Sequence, residues 1–440
     1  MVVDGGRLFG TDGVRGRAND VLTADLAFDL AKAAGEGSEG LVVIGRDTRR
    51  SGSMLSSALH AGFNAVGVDT VDLGVIPVGG VSRLVRDTAA GFGVMVSASH
   101  NPAEDNGIKF FGRDGAKLSD EREDEIEVRY RRGAPWARPL GPLVGMQSRM
   151  ADAVDRYIDH LVAGAAYSLR GMRFVVDCAN GASYAAAPQL FRRLGADVEV
   201  HNAEPDGMNI NLGCGATHPE YLAEKVGGRV GFAFDGDADR LIAVDENGDV
   251  CNGDVVMAIL VKQLIDLGKL KRRVVVTTVM ANLGFKKAME HLGVVVLETA
   301  VGDRYVLEEM RRSRAVLGGE QSGHIVLEDR ATGDGLRSAL RLAGAMASTG
   351  RELRELRTVM TEYPQVLQNV PVANRAALDG ATAVWDAVAE AQAELADRGR
   401  ILVRASGTEP LVRVMVEAAD ADTASGVASS LTEVVRRELG

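Results

Sequence analysis

Three stretches of the chain repeat one pattern of apolar and polar positions: "GLVVIGRDTRRSG" from Gly40, "MRFVVDCANGAS" from Met172 and "RRVVVTTVMANLG" from Arg272. In each, a short β-branched run enters a polar turn containing Gly or Asn and continues into a helical periodicity, which predicts strand, turn, helix. A second apolar run ending near Gly or Pro follows each helix: "AVGVDTVDLGVIP", "LGADVEVHNAEPDG" and "HLGVVVLETAVGD". Strand, helix, strand at this spacing predicts right-handed βαβ units and mostly parallel sheets. The starts lie roughly 100 to 130 residues apart, too far for a solenoid period, so the repeat is one of domains. The tail breaks the pattern. From about Pro371 a long Ala/Glu/Arg-rich helix leads to "RILVRASGTEPLVRVMVEAAD", two strands about a Gly-Thr turn, and then a closing helix. The expected division is three α/β domains with mixed, mostly parallel sheets over 1–149, 150–252 and 253–370, and a small α+β domain over 371–440.

Length and composition agree with several folded domains. At 440 residues the chain has room for about three or four cores, and 46% hydrophobic with 25% charged residues excludes disordered and fibrous classes. The net charge of -11 argues against nucleic acid as a partner, since such binding rests on basic patches. The stretch after Met1 carries an early Asp4 and no apolar core of signal-peptide type, and no run approaches the roughly 18 apolar residues of a membrane span. A cytoplasmic protein with no membrane partner is expected. Cys178, Cys214 and Cys251 are odd in number and lack C-x-x-C spacing, so buried structural thiols are expected, with neither a disulfide framework nor a zinc site.

The strongest chemical signal is "FAFDGDADRLIAVDENG", Phe232 to Gly248. Asp235, Asp237 and Asp239 recur at every second position, which in an extended or loosely turned segment aims three carboxylates at one point. Two such charges about 4 Å apart repel by roughly 4 kcal/mol at an effective dielectric of 20, so a bound cation is the natural relief, and hard oxygen ligands suit Mg²⁺. A second signal is "MVSASHNPAEDNGIKF", Met95 to Phe110. If the segment is extended, Ser99 and His100 point to opposite faces and His100 is a poor base for its neighbour. With no G-x-S-x-G elbow present, a hydrolase is disfavoured. A serine beside Mg²⁺ reads better as a phosphate carrier, with Lys109, placed after an expected Asn106-Gly107 turn, neutralising the phosphate.

Three further motifs fit a sugar phosphate. "RASGTEPLVR" gathers Arg404, Ser406, Gly407, Thr408 and Arg413, a set suited to gripping a phosphate, although an ordinary hairpin turn would read similarly. "GGEQSGH" offers Glu320 and Ser322 for vicinal hydroxyls and His324 as a proton shuttle or a plain turn histidine. "GTDGVRG" sets Arg15 between glycines, which allow a ligand to approach closely.

Taken together, FGTDGVRG, SASHNP, NGIKF, DGDADR, GEQSGH and RASGTEP resemble, in order and spacing over nearly the whole chain, the α-D-phosphohexomutase superfamily, and within it most closely the bacterial phosphoglucosamine mutases. The resemblance implies four domains around a central cleft. It implies that Ser99 is the phosphorylated serine and joins Asp235, Asp237 and Asp239 at Mg²⁺, with Arg15, Lys109, His100, Arg240 and His324 about the transferring group. It further implies Glu320 and Ser322 on the sugar, and Arg404, Ser406, Gly407, Thr408 and Arg413 on the distal phosphate. The implied reaction interconverts glucosamine 6-phosphate and glucosamine 1-phosphate through phosphoserine and a bound 1,6-bisphosphate, supplying UDP-N-acetylglucosamine for cell-wall synthesis; a phosphoglucomutase or phosphomannomutase with the same machinery is the alternative. A small-molecule hexosamine phosphate partner and a homodimer are implied likewise. "TVMANLG" and "VGDRYV" are the stretches that favour the glucosamine branch.

Overall fold

The computed structural model describes residues 7–10, 12–328, 331–406 and 410–440. They divide into two compact units, Met1–Met280 with Val294–Val359, and Ala281–Gly293 with Met360–Gly440.

The first unit holds three sheets. In the largest, the strand order is Val14–Arg17, Asp105–Phe111, Phe92–Val96, Val42–Arg46, Thr70–Val75 and Gln147–Arg149. The second runs Val250–Cys251, Leu241–Val244, Val230–Phe234, Arg173–Asp177 and Asp197–His201, and the third runs Val295–Thr299, Val274–Thr278, Gly318–Gly319 and Ile325–Val326. All six apolar runs read from sequence are strands. Four strands in each sheet follow one plan: the opening strand pairs in parallel with its βαβ partner and with a third strand, and a fourth then returns antiparallel. Strands such as Val230–Phe234 and Leu241–Val244 are buried at every position, which explains why they read as continuous apolar runs instead of alternating ones. Phe174, Phe191 and Phe232 interlock over the second sheet with ring centroids 4.9–5.3 Å apart.

One sequence expectation is corrected here. Asn106-Gly107 makes no turn; both residues lie inside the strand Asp105–Phe111, paired with Gly16 and Arg15. The local Asn-Gly signal is overridden because strand Val14–Arg17 pairs with both residues on one side and, on the other, the Ser97 N–H donates to the Gly107 carbonyl at 3.0 Å.

The second unit contains a three-stranded antiparallel sheet ordered Gln365–Pro371, Leu411–Ala418 and Gly399–Ala405. The helices Thr382–Leu395 and Ala421–Leu439 contribute to its apolar core, with Asp420 capping the latter through the Thr423 N–H at 2.8 Å. The strand Gln365–Pro371 was not singled out from sequence, so the last sheet begins before Pro371. Cys178, Cys214 and Cys251 are buried thiols that form no disulfide. No helix among the described residues is long and apolar enough to cross a membrane.

Candidate active site

Each sheet of the first unit offers one equivalent loop, joining its third parallel strand to the returning antiparallel strand. Ser99 lies in the first, Asp235, Asp237 and Asp239 in the second, and Glu320, Ser322 and His324 in the third or at its edge. Backbone hydrogen bonds fix the second loop to the helices that open at Val78 and Gly335 and join its end to the third loop. The Val78 N–H donates to the Asp237 carbonyl at 3.0 Å, the Leu241 N–H to the Gly323 carbonyl at 3.0 Å, and the Gly335 N–H to the Ala238 carbonyl at 2.9 Å. Gly236 lets the second loop approach the first, because a Cβ there would stand 2.4 Å from the Ser99 carbonyl oxygen.

Ser99 is buried, with φ of +53°. A serine in this left-handed region costs on the order of 1–3 kcal/mol unless its surroundings hold it. They do. Its carbonyl accepts from Arg49 Nη2 at 3.0 Å and Asn211 Nδ2 at 2.9 Å, and its N–H donates to Ser97 Oγ at 2.9 Å. Arg49 is itself fixed by Asp47 at 2.9 Å and donates to the carbonyls of Asn101 and Asp105 at 2.8 and 3.1 Å. The left-handed turn also corrects the expectation for His100: the segment is not extended at Ser99, and His100 Nδ1 lies 3.3 Å from Ser99 Oγ. Burial, then Arg240 and Arg15, depress the His100 pKa to about 4, so its ring is neutral.

Ser99 Oγ donates to Asp235 Oδ2 at 2.5 Å. Asp235, Asp237 and Asp239 are all buried, and their nearest carboxylate oxygens lie within 4.8 Å of one another. Burial, then Asp239 and Asp237, push the Asp235 pKa up to about 8. Lys109 supplies counter-charge, with Nζ 2.7 Å from Asp237 Oδ2 and 2.9 Å from Asp12 Oδ2. Burial alone would favour its neutral form, yet Asp12, Asp237 and Asp239 raise its pKa well above the usual lysine range. His324 places Nδ1 3.4 Å from Asp239 Oδ2, and Asp239 and Asp303 lift its pKa to about 9 against burial. That cation, with Lys109 and Arg240, holds the Asp239 pKa far below the usual carboxylate range despite burial. Asp237 Oδ1 and Asp239 Oδ1 nevertheless remain buried with no hydrogen-bond partner. Two unsatisfied anionic oxygens beside a third carboxylate form the hard donor set that a divalent cation such as Mg²⁺ takes.

Ser322 Oγ, Arg15 Nε and Arg240 Nε are likewise buried without hydrogen-bond partners, while Glu320 Oε1 accepts the Gly302 N–H at 3.0 Å. The first unit thus brings together Arg15, Ser99, His100, Lys109, Asp235, Asp237, Asp239, Arg240 and His324, with Glu320 and Ser322 on the His324 loop. In the second unit Arg404 stands directly opposite Arg413 in the ladder, and Ser406 follows at the strand end, its carbonyl accepting from Arg375 Nη1 at 2.8 Å. Burial and Arg413 lower the Arg404 pKa. Gly407 and Thr408 lie outside the described residues. Sequence reading missed Arg49, Asp47, Asn211 and Asp12, which support the site; their segments carry turn signals, and nothing local marks where their side chains reach.

Comparison with known proteins matches this architecture along the chain. Models of the four phosphoglucomutase/phosphomannomutase domains match residues 6–135 (alpha/beta/alpha domain I), 155–248 (domain II), 252–363 (domain III) and 367–434 (C-terminal domain). The phosphoglucosamine mutase of Arthrobacter sp. (strain FB24) is 50% identical over 446 residues, covering 98% of each chain. The chain belongs to the phosphoglucosamine mutase family. Among solved structures, a phosphoglucomutase/phosphomannomutase family protein from Burkholderia thailandensis superposes with a TM-score of 0.82 at 24% identity, covering 98% of this chain and 97% of that one. The N-acetylphosphoglucosamine mutase of Aspergillus fumigatus, solved with GlcNAc-6P and magnesium, gives 0.67 at 20% identity, covering 98% and 96%. These likenesses extend the family's fold to the three repeated α/β sheets and the small C-terminal sheet described above.

Proposed function

We propose that this chain interconverts glucosamine 6-phosphate and glucosamine 1-phosphate, with Ser99 as the phosphoryl carrier. One observation carries the reading: Ser99 Oγ meets Asp235 at 2.5 Å in a buried carboxylate trio, in a chain 50% identical to a phosphoglucosamine mutase. Asp235, Asp237, Asp239 and a phosphoryl oxygen on Ser99 would hold Mg²⁺, which when bound offsets charge on the transferring group.

The residues divide the work by position. The phosphoryl group passes from Ser99 Oγ to the sugar O1: the P–Oγ bond breaks, the P–O1 bond forms, O1 loses a proton and Oγ gains one. His100 Nδ1, neutral and 3.3 Å from Oγ, is the side-chain atom placed to exchange that proton. Arg15, Lys109 and Arg240 surround the transferring oxygens with fixed positive charge, which serves phosphoryl transfer because positioning and charge account for most of its catalysis. His324 holds Asp239 in place. Glu320 and Ser322 bind the sugar hydroxyls, the orphan Ser322 Oγ being a donor-acceptor in need of one. Arg404, Ser406, Gly407, Thr408 and Arg413 take the phosphate that is not being transferred. The bound 1,6-bisphosphate turns over, and its 6-phosphoryl group returns to Ser99 as glucosamine 1-phosphate leaves.

The test offers purified protein glucosamine 6-phosphate and glucose 6-phosphate side by side, with Mg²⁺ and catalytic 1,6-bisphosphate. Preference for the glucosamine ester, lost in Ser99→Ala, is the expected result. Equal or better use of glucose 6-phosphate would move the assignment to a phosphoglucomutase, and an active Ser99→Ala would overturn the carrier role.

A further inference from the structure

Lys117 belongs to none of the motifs above, yet it is one of the most heavily engaged cations in the first unit. Its side chain is 9% exposed, and its ammonium forms ion pairs with both Asp12 and Asp303. Asp12, in the loop before strand Val14–Arg17, pairs with Arg15 and stands 2.9 Å from Lys109 Nζ. Asp303 opens the helix Asp303–Ser313 and lies 3.7 Å from His324 Nε2. Lys109 reaches Asp237 at 2.7 Å, and the opposite nitrogen of His324 reaches Asp239 at 3.4 Å. The result is an unbroken alternation of charge, Asp237, Lys109, Asp12, Lys117, Asp303, His324 and Asp239. It begins and ends on two members of the carboxylate trio.

We infer that Lys117 is a positioning residue of the phosphoryl transfer, acting through Asp12 on Lys109 and Arg15 and through Asp303 on His324. The inference rests on the mutase reading above. Because Asp12 and Asp303 share one nitrogen, their carboxylates are held close together in a poorly solvated region. Removing the ammonium leaves two like charges facing each other there, and the carboxylates swing apart. Each swing releases a cation that the transfer needs in a fixed place. The helix itself has a separate anchor: Arg304, the next residue, holds Glu123 of the helix Asp120–Arg132 at 2.7 Å. Loss of Lys117 therefore disturbs side-chain placement more than the packing of the helix.

The experiment compares wild type, Lys117→Met, Lys117→Arg, Asp303→Asn and the Lys117→Met/Asp303→Asn double variant. Two rates are read: steady-state turnover of glucosamine 6-phosphate, and single-turnover phosphorylation of the dephosphorylated protein by glucose 1,6-bisphosphate, followed by intact mass. Lys117→Met is expected to lower kcat and the phosphorylation rate by about 30- to 100-fold with KM within twofold, the pattern of lost transition-state positioning. Lys117→Arg is expected to recover part of the loss, and the double variant to be no slower than Lys117→Met. A kcat within twofold of wild type in Lys117→Met, a loss confined to KM, or multiplicative losses in the double variant would overturn the inference. If Lys117→Met fails to fold, Asp303→Asn cuts the same chain from the other side, and unchanged rates in it overturn the inference equally. A wild type that takes no phosphoryl group overturns the mutase reading and this inference together, whereas an active wild type with an equally active Lys117→Met overturns the inference alone.

Discussion

The Ser99 centre in the first unit and the Arg404–Arg413 hairpin in the second both present charge, but their electrostatics are opposite. At Ser99, buried carboxylates and buried cations alternate, and nearly every charged group has a partner within 4 Å. In the hairpin Arg404 and Arg413 stand opposite each other in one ladder pair, and burial, then Arg413, lowers the Arg404 pKa. Like charges directly opposite on neighbouring strands are destabilising by up to about 1 kcal/mol. The first arrangement holds each cation against one or more carboxylates. The second sets two like charges side by side, and under the proposed function the phosphate that is not being transferred is the anion that would meet them.

The comparison breaks most visibly at Ser99. Ser99→Ala should abolish mutase flux by about 10³-fold or more, because it removes the hydroxyl that meets Asp235; thermal unfolding should stay within a few degrees of wild type, since the backbone clamp from Arg49 and Asn211 is untouched. Next in size is the metal response. Saturating Mg²⁺ should raise the melting temperature of wild type, by the equivalent of about 2.7 kcal/mol at a hundred times the dissociation constant. Asp237→Asn should lose most of that rise, and an undiminished rise would show that the trio is not where the ion binds. In the hairpin, Arg404→Ala should raise KM roughly tenfold or more with a smaller change in kcat, as expected when one charge-assisted contact worth about 1.5–3 kcal/mol is lost. The same variant should be at least as stable as wild type, the reverse of removing a partner from the Ser99 centre; a marked loss of stability would sink the contrast drawn here.

The smallest effect concerns pH. His60 is buried, donates or accepts at 2.8 Å with Thr70 through Nδ1, and leaves Nε2 without a partner, so burial holds its pKa below 6.5. Its folded form binds fewer protons than its unfolded form. Its contribution is therefore fully present above pH 6.5 and falls away as pH drops through the folded value. The decline in melting temperature from pH 7.5 to 5.5 should be shallower in His60→Asn, which isolates this background from pH effects at the Ser99 centre and the hairpin.

The sequence alone determined a good deal, and for clear reasons. Six apolar runs became six strands because each is short, rich in β-branched residues and closed by turn residues, whereas the longer apolar run in Gly253–Asp266 is a helix. Asp235, Asp237 and Asp239 were legible because their spacing is local and three adjacent acids between apolar runs demand an explanation. What failed locally was conformation under tertiary control. Ser99 is left-handed, bringing His100 to its hydroxyl, only because Arg49, fifty positions earlier, and Asn211 of another sheet's segment grip its carbonyl. Asn106-Gly107 is strand because Val14–Arg17 pairs with it on one side and the Ser97 N–H takes the Gly107 carbonyl on the other. The chain of charge through Asp12, Lys117 and Asp303 joins residues up to 291 positions apart, and a lysine's spacing says nothing about which carboxylates it will meet. Short-range pattern records what a residue needs, burial or solvent, turn or strand. Which partner meets that need is settled when the three sheets pack.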